Sequence, residues 1–263
     1  MRREKKRALK ASLAKKYPII GCVASIPDAY VGEMMGQSGF DFILIDTQHS
    51  PITVESLQNM MTNISPVKSP TPIVVRVAWN DVSLINQALD LGADGIIIPW
   101  VNSQEEAERA VAAAKFPPIG SRSWGPRRAI EFYDDLASYE QNANDDILVL
   151  PQIEHIDAVK NLDNILSVDG VDGIMIGPAD LAYSMGYGED KGNQEVDKMI
   201  KSVLIGCQKH DVPFGMFTGT LDIAKKWLSQ GGLIATIGSD TGFISEGIAQ
   251  TRVDIRDLLD EII

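Results

Sequence analysis

Two acids, Glu154 and Asp180, each stand just past a short apolar run, the first after DILVLPQI and the second in GPAD after VDGIMI. Between the runs lies a helical pattern with Ile156, Val159, Leu162, Ile165 and Leu166 on one side. The stretch therefore reads as strand–helix–strand with an acid at the same end of both strands. Neighbouring parallel strands lie about 4.8 Å apart, which lets two such carboxylates converge on one point. Paired hard oxygens suit a divalent cation, and the turn Gly177-Pro178-Ala179 beside them offers main-chain N–H groups to a small anion. Each acid alone has a plainer reading: Glu154 as an acid favoured at a helix N-terminus, Asp180 as an N-cap. Their equivalent placement on adjacent strands favours the metal.

Other residues could share that chemistry. His49 follows a strand directly, with Asp46 three residues before it, and reads as a general base in preference to a packed loop histidine. His155 and His210 read as surface helix residues without a role. Arg76 lies inside IVVRVAW, where a buried charge is costly unless it is paired; it reads as an anion-facing arginine, with a structural salt bridge as the alternative. Asp90, in QALDLGADG, sits near a helix end where the dipole disfavours an acid. It is either an exposed helix residue or the carboxylate that holds the tautomer of His49. Arg122, Arg127 and Arg128 either bind a substrate carboxylate or form salt bridges between subunits.

The elements that would position these residues follow from eight short, continuous and often β-branched apolar runs. They cover residues 18–23, 40–45, 72–77, 95–99, 147–153, 171–176, 212–217 and 233–237, as expected of parallel strands buried on both faces. Helical patterns alternate with them over residues 29–38, 53–63, 83–91, 103–115, 156–166, 196–210 and 221–230, and 243–263 is mostly helical. The fold class is therefore α/β, a (β/α)8 TIM barrel with a basic N-terminal helix or arm and C-terminal helices. A doubly wound sheet is second, because no G-x-G-x-x-G follows the first strand. One domain over residues 1–263 is expected, with a solvated basic arm at 1–16 and a long active-face region at 100–146 holding one helix. In such a barrel the strand C-terminal ends form the active face. They carry Asp46 to His49, Arg76, Trp100, Gln152 and Glu154, Gly177 to Asp180, Thr218, and Ser239 with Asp240.

A net charge of −12 argues against nucleic acid as a partner, since phosphate binding needs a basic face. No apolar core follows the basic start and no run reaches the ~20 residues of a membrane helix, so an aqueous, cytoplasmic setting is expected. With only Cys22 and Cys207, neither a disulfide framework nor a zinc site is indicated.

Taken together, GFDFILIDTQHSP, VVRVAWND, ALDLGADGIIIPWV, PPIGSRSWGP, PQIEH and DGIMIGPADLAYSMG resemble the HpcH/HpaI family, the metal-dependent pyruvate aldolases of the phosphoenolpyruvate/pyruvate barrel superfamily, over about residues 21–248. The resemblance implies Glu154 and Asp180 as ligands of a divalent cation, Mg2+ first, with Mn2+ or Co2+ as alternatives. It implies main-chain donors from Gly177, Pro178, Ala179, Asp180 and Leu181 for the carboxylate of a pyruvate-like ligand, His49 with Asp90 as acid/base dyad beside the retained Asp46, Arg76 at the enolate oxygen, and Gln152 as a neighbour. The implied reaction is aldol cleavage or condensation of a 2-oxo acid with an aldehyde through a pyruvate enolate, in a homo-oligomer, hexamer or trimer. Decarboxylation of oxaloacetate with addition of the enolate to a bulkier acceptor, as in macrophomate synthase, is the alternative; Trp79, Trp100 and Trp124 leave room for one. The family usually has an acid directly before this histidine, and here Gln48 stands there. That departure is what supports a further alternative, a non-catalytic metal-binding barrel.

Overall fold

The computed structural model describes residues 8–188, 190 and 192–262. Eight parallel strands close into a barrel in sequence order: β1 Ile19–Ala24, β2 Phe42–Asp46, β3 Ile73–Arg76, β4 Gly95–Ile98, β5 Leu148–Ile153, β6 Ile174–Ile176, β7 Phe214–Gly219 and β8 Ile234–Ser239. All eight expected strands are present, and the architecture is a (β/α)8 TIM barrel.

Side chains on a strand alternate between faces, and the alternation separates two cores. Phe42, Leu44, Val74, Ile97, Leu148, Leu150, Met175 and Ile234 fill the barrel interior. Their neighbours Ile43, Ile45, Ile73, Val75, Ile96, Ile98, Val149 and Ile174 face the surrounding helices. Small residues make room for large ones inside: a Cβ on Gly21 would overlap the Phe42 ring, and one on Gly215 would overlap the Met175 sulfur.

The helices after the strands are α2 Ala29–Gly36, α3 Val54–Ile64, α4 Val82–Asp90, α5 Gln104–Ala114, α7 Ile156–Lys160 with α8 Leu162–Leu166, α9 Pro178–Ser184, α10 Gln194–Lys209, α11 Leu221–Leu228 and α12 Asp240–Ile262. Several depart from expectation. The helix expected over 156–166 is broken at Asn161, whose side chain donates to the Asn102 carbonyl at 2.8 Å. The long region after β4 holds a second helix, α6 Leu136–Asp146, and a 3-10 turn at Ala129–Phe132. Phe116, Phe132, Tyr133 and Tyr139 gather there into a separate aromatic cluster.

Where it is described, the N-terminal arm is solvated on one face only. Helix α1, Ala8–Ala14, puts Leu9 and Leu13 into the barrel interior, and Lys10 reaches Asp172 at 2.7 Å. It closes the end of the barrel opposite the strand C-termini; residues 1–7 lie outside the described residues. On α12, by contrast, Ile244, Ile248, Ile255, Leu258 and Leu259 are exposed, so this stripe is not an intrachain core. Among the described residues no helix is long and apolar enough to cross a membrane.

The interior packing generates a direct test. Gly21→Ala is expected to destabilise the protein by about 1–3 kcal/mol through overpacking against Phe42, and Phe42→Leu in the same chain is expected to restore part of it. Urea unfolding of the single and double variants reads both effects.

Candidate active site

The alternation that packs the barrel also points the polar residues inward. Two positions beyond Leu44 comes Asp46, beyond Val74 comes Arg76, beyond Leu150 come Gln152 and then Glu154, and beyond Met175 comes Gly177. The hydrocarbon interior thus ends in a polar layer at the strand C-termini.

Asp46 and Arg76 are register partners on β2 and β3. The guanidinium donates Nε–H and Nη2–H to the two carboxylate oxygens at 2.9 and 2.6 Å and lies over the Phe217 ring at 4.8 Å. Burial works to raise the Asp46 pKa, but the two Arg76 bonds with the arginine charge, helped by the main-chain amides of Gln48 and His49, hold it below the usual carboxylate range. Those amides donate to Oδ1 at 3.0 and 3.4 Å, so Asp46 also shapes the turn that carries His49. Arg76 is ion-paired with Asp46 and also lines the cavity described below. The Gln48 Oε1 is buried without a hydrogen-bond partner.

Glu154 is 0% exposed. Oε1 accepts the main-chain N–H of Trp100 at 2.8 Å, and Oε2 accepts Nε2–H of Gln152, whose own Oε1 is buried without a partner. Ile153 pairs with Ile176 across β5 and β6, which sets Glu154 opposite Gly177. A Cβ on Gly177 would stand 2.7 Å from Glu154 Oε2, so the close approach requires glycine. Pro178 then starts α9 at its first position, and Asp180 falls in the first turn. Desolvation pushes the Glu154 pKa up to about 7, with the Asp180 charge adding to the rise.

A cavity of about 870 Å3 opens over this layer, lined on one side by His49, Arg76, Gln152, Gly177, Pro178, Ala179 and Asp180. Phe217, Thr218, Ile223, Lys226, Trp227 and Glu246 line the other. Asp90 does not meet His49: it accepts from the buried Arg122 at 2.7 Å, because the long region after β4 folds back and lays that guanidinium over the Phe116 ring. Trp124 packs tilted against Phe116 at 5.1 Å and edge-on against Tyr139 at 5.8 Å, in the aromatic cluster and not at the cavity. Arg128 is spent on the carbonyls of Leu91, Met61 and Ser65. Within the turn, the N–H of Gly177 donates to Ile153 and that of Leu181 to Gly177, and Pro178 has none. The donors facing outward reduce to Ala179 and Asp180.

The roles of two residues escaped the sequence reading. Trp100 takes part through its main chain, with φ +56°, and no side-chain signal marks that. His155, given no role, caps α7 and packs its ring against Trp100 at 5.9 Å.

The residues present fit a divalent cation. A fully buried carboxylate, a second acid close enough to raise its pKa and lining the cavity, and the unpartnered amide oxygen of Gln152 are hard donors with uncompensated negative charge. Among the described residues no cluster of three or more His, Cys, Asp or Glu side chains could hold a metal. Two carboxylates with the remaining positions left to water and substrate is the habit of Mg2+.

Residues 21–246 match the HpcH/HpaI aldolase/citrate lyase family. The chain belongs to that family. HpcH/HpaI membership supports a carbon–carbon lyase. A curated relative, the 4-hydroxy-2-oxo-heptane-1,7-dioate aldolase of Salmonella heidelberg (strain SL476), is 36% identical over 243 residues, covering 92% of each chain. Among solved structures, an HpcH/HpaI aldolase/citrate lyase family protein from Burkholderia cenocepacia J2315 superposes with TM-score 0.89 at 27% identity, covering 95% of this chain and 99% of the other. Macrophomate synthase superposes with TM-score 0.83 at 25% identity, covering 96% of this chain and 90% of the other.

The raised Glu154 pKa has a measurable consequence. Folded, this carboxyl keeps its proton to about 7, against an ordinary value of 4.5. Its contribution to stability is therefore fully present below the ordinary value and lost as pH rises through about 7. In chelator, the wild-type melting temperature is expected to fall between pH 6 and 7.5 more steeply than that of Glu154→Gln. Equal slopes would contradict the burial argument.

Proposed function

We propose that the protein is a divalent-metal-dependent lyase that makes or breaks the C3–C4 bond of 4-hydroxy-2-oxo acids, releasing or consuming pyruvate and an aldehyde. The observation that carries this reading is the solvent-free Glu154 carboxylate directly behind Gln152 and Gly177, which with Asp180 line a cavity large enough for a 2-oxo acid and a second reactant. The relatedness to a 4-hydroxy-2-oxo-heptane-1,7-dioate aldolase supports the same substrate class.

Glu154 and Asp180 would hold the cation, with Mg2+ favoured by the oxygen donors and Mn2+ or Co2+ able to replace it. When bound, a divalent cation supplies Lewis-acid polarisation of the 2-oxo group. The N–H groups of Ala179 and Asp180 at the start of α9 receive the substrate carboxylate. Arg76, held rigid by Asp46, places positive potential where the enolate oxygen gains charge. In the cleavage direction His49 takes the proton of the C4 hydroxyl, directly or through a water. The C3–C4 bond breaks, the aldehyde leaves, and C3 of the enolate takes a proton to give pyruvate. Asp90 is spent on Arg122 in this chain, so its support for the base is not part of the reading. The exposed apolar stripe of α12 supports a homo-oligomer in which a second copy covers it.

Glu154→Ala and Asp180→Ala are each expected to abolish both metal uptake, measured by atomic emission, and pyruvate release from a 4-hydroxy-2-oxo acid. Wild-type metal content in both variants would overturn the assignment. His49→Ala is expected to lower aldol cleavage by about 10²–10⁴-fold, the usual contribution of a general base. It should leave oxaloacetate decarboxylation far less affected, because loss of CO₂ needs no base. Equal losses in the two assays would remove His49 from that role.

A further inference from the structure

Trp100 follows β4 after Pro99 and adopts φ +56°, a left-handed conformation unfavourable for a bulky residue. Something must hold it there, and two contacts do. Its ring lies between Trp79, at 6.3 Å between centroids, and His155, at 5.9 Å. His155 is itself fixed, because its Nδ1 accepts the Asp157 amide to cap α7. The second contact is the product of the first: with φ reversed, the Trp100 N–H faces across to β5 and donates to Glu154 Oε1 at 2.8 Å. Since Oε2 accepts from Gln152, each oxygen of the buried carboxylate is tied by one donor, and its rotation is fixed. Backbone strain retained at such a place is characteristic of functional sites.

We propose that Trp100 is a positioning residue, whose aromatic packing holds a strained main-chain amide that sets the orientation of Glu154 beside Asp180. The claim rests on the cation site of the proposed function and adds to it a residue that touches neither cation nor substrate. It separates ring from backbone in a way that two substitutions can read. Trp100→Ala loses the ring but keeps the penalty of the left-handed conformation, so the loop relaxes out of it and the amide leaves the carboxylate. Trp100→Gly loses the ring and the conformational penalty together, so the amide can stay.

The test is Mn2+ binding by calorimetry on the full chain, with melting temperatures to confirm folding. Trp100→Ala is expected to bind about tenfold more weakly than wild type, the scale of losing a residue that orients a metal ligand, and Trp100→Gly within about threefold of it. Equal affinities in the two variants, or weaker binding by the glycine variant, overturn the proposal. A second measurement needs no metal. In protein labelled with 15N-tryptophan, the backbone amide peak missing from Trp100→Gly identifies Trp100, and that peak is expected downfield in wild type and upfield in Glu154→Ala, which leaves the amide no side-chain acceptor. An unmoved peak also overturns it. If wild type binds no Mn2+, the lyase reading fails by itself, and the amide–carboxylate contact stands or falls on the spectrum.

Discussion

An ionised carboxylate with no access to water is tolerated only where something replaces its hydration. Glu154 has two N–H donors, one from Trp100 and one from Gln152, and a neighbouring acid that makes its charge harder to hold. Neither donor carries a full positive charge, so protonation near neutral pH is the outcome without a cation. A divalent ion held by Glu154 and Asp180, as proposed, would resolve the same conflict by supplying the missing charge. The arrangement of Arg76 on Asp46 is the opposite case, since each charge there already has its partner in the same layer. One pair is complete and the other asks for a ligand.

The barrel makes that contrast available through ordinary packing rules. Strands β2, β3 and β5 place hydrocarbon in their inward positions and then end the alternation on Asp46, Arg76 and Gln152. Lower down, helix α1 seals the opposite end with Leu9 and Leu13, leaving the C-terminal face as the opening. Gly177 contributes by having no side chain, which lets α9 approach Glu154 and sets its first N–H groups at the cavity.

Much of this was legible in the residues. Continuous β-branched runs such as IVVR and GIII signal buried parallel strands, and parity along them places Asp46, Arg76, Gln152 and Glu154 on one rim. What escaped depends on contacts distant in sequence. Asp90 pairs with Arg122 because the region after β4 folds back across α4, and nothing in QALDLGADG announces that. Trp124 was expected near the ligand, yet its partners Phe116 and Tyr139 lie in the same folded-back region. The basic tract at the N-terminus concealed two leucines that pack, since the charge of the segment outweighed a short apolar pattern. Trp100 acts through φ and an amide, quantities that residue type does not encode.

The central claim is that Glu154 and Asp180 jointly hold one cation. Anomalous diffraction from crystals soaked with Mn2+ and oxalate tests it most directly. One anomalous peak per chain, bonded to an oxygen of each acid with oxalate completing the coordination, is the expected result. Metal found elsewhere, or no peak while the two side chains turn away from each other, would contradict it.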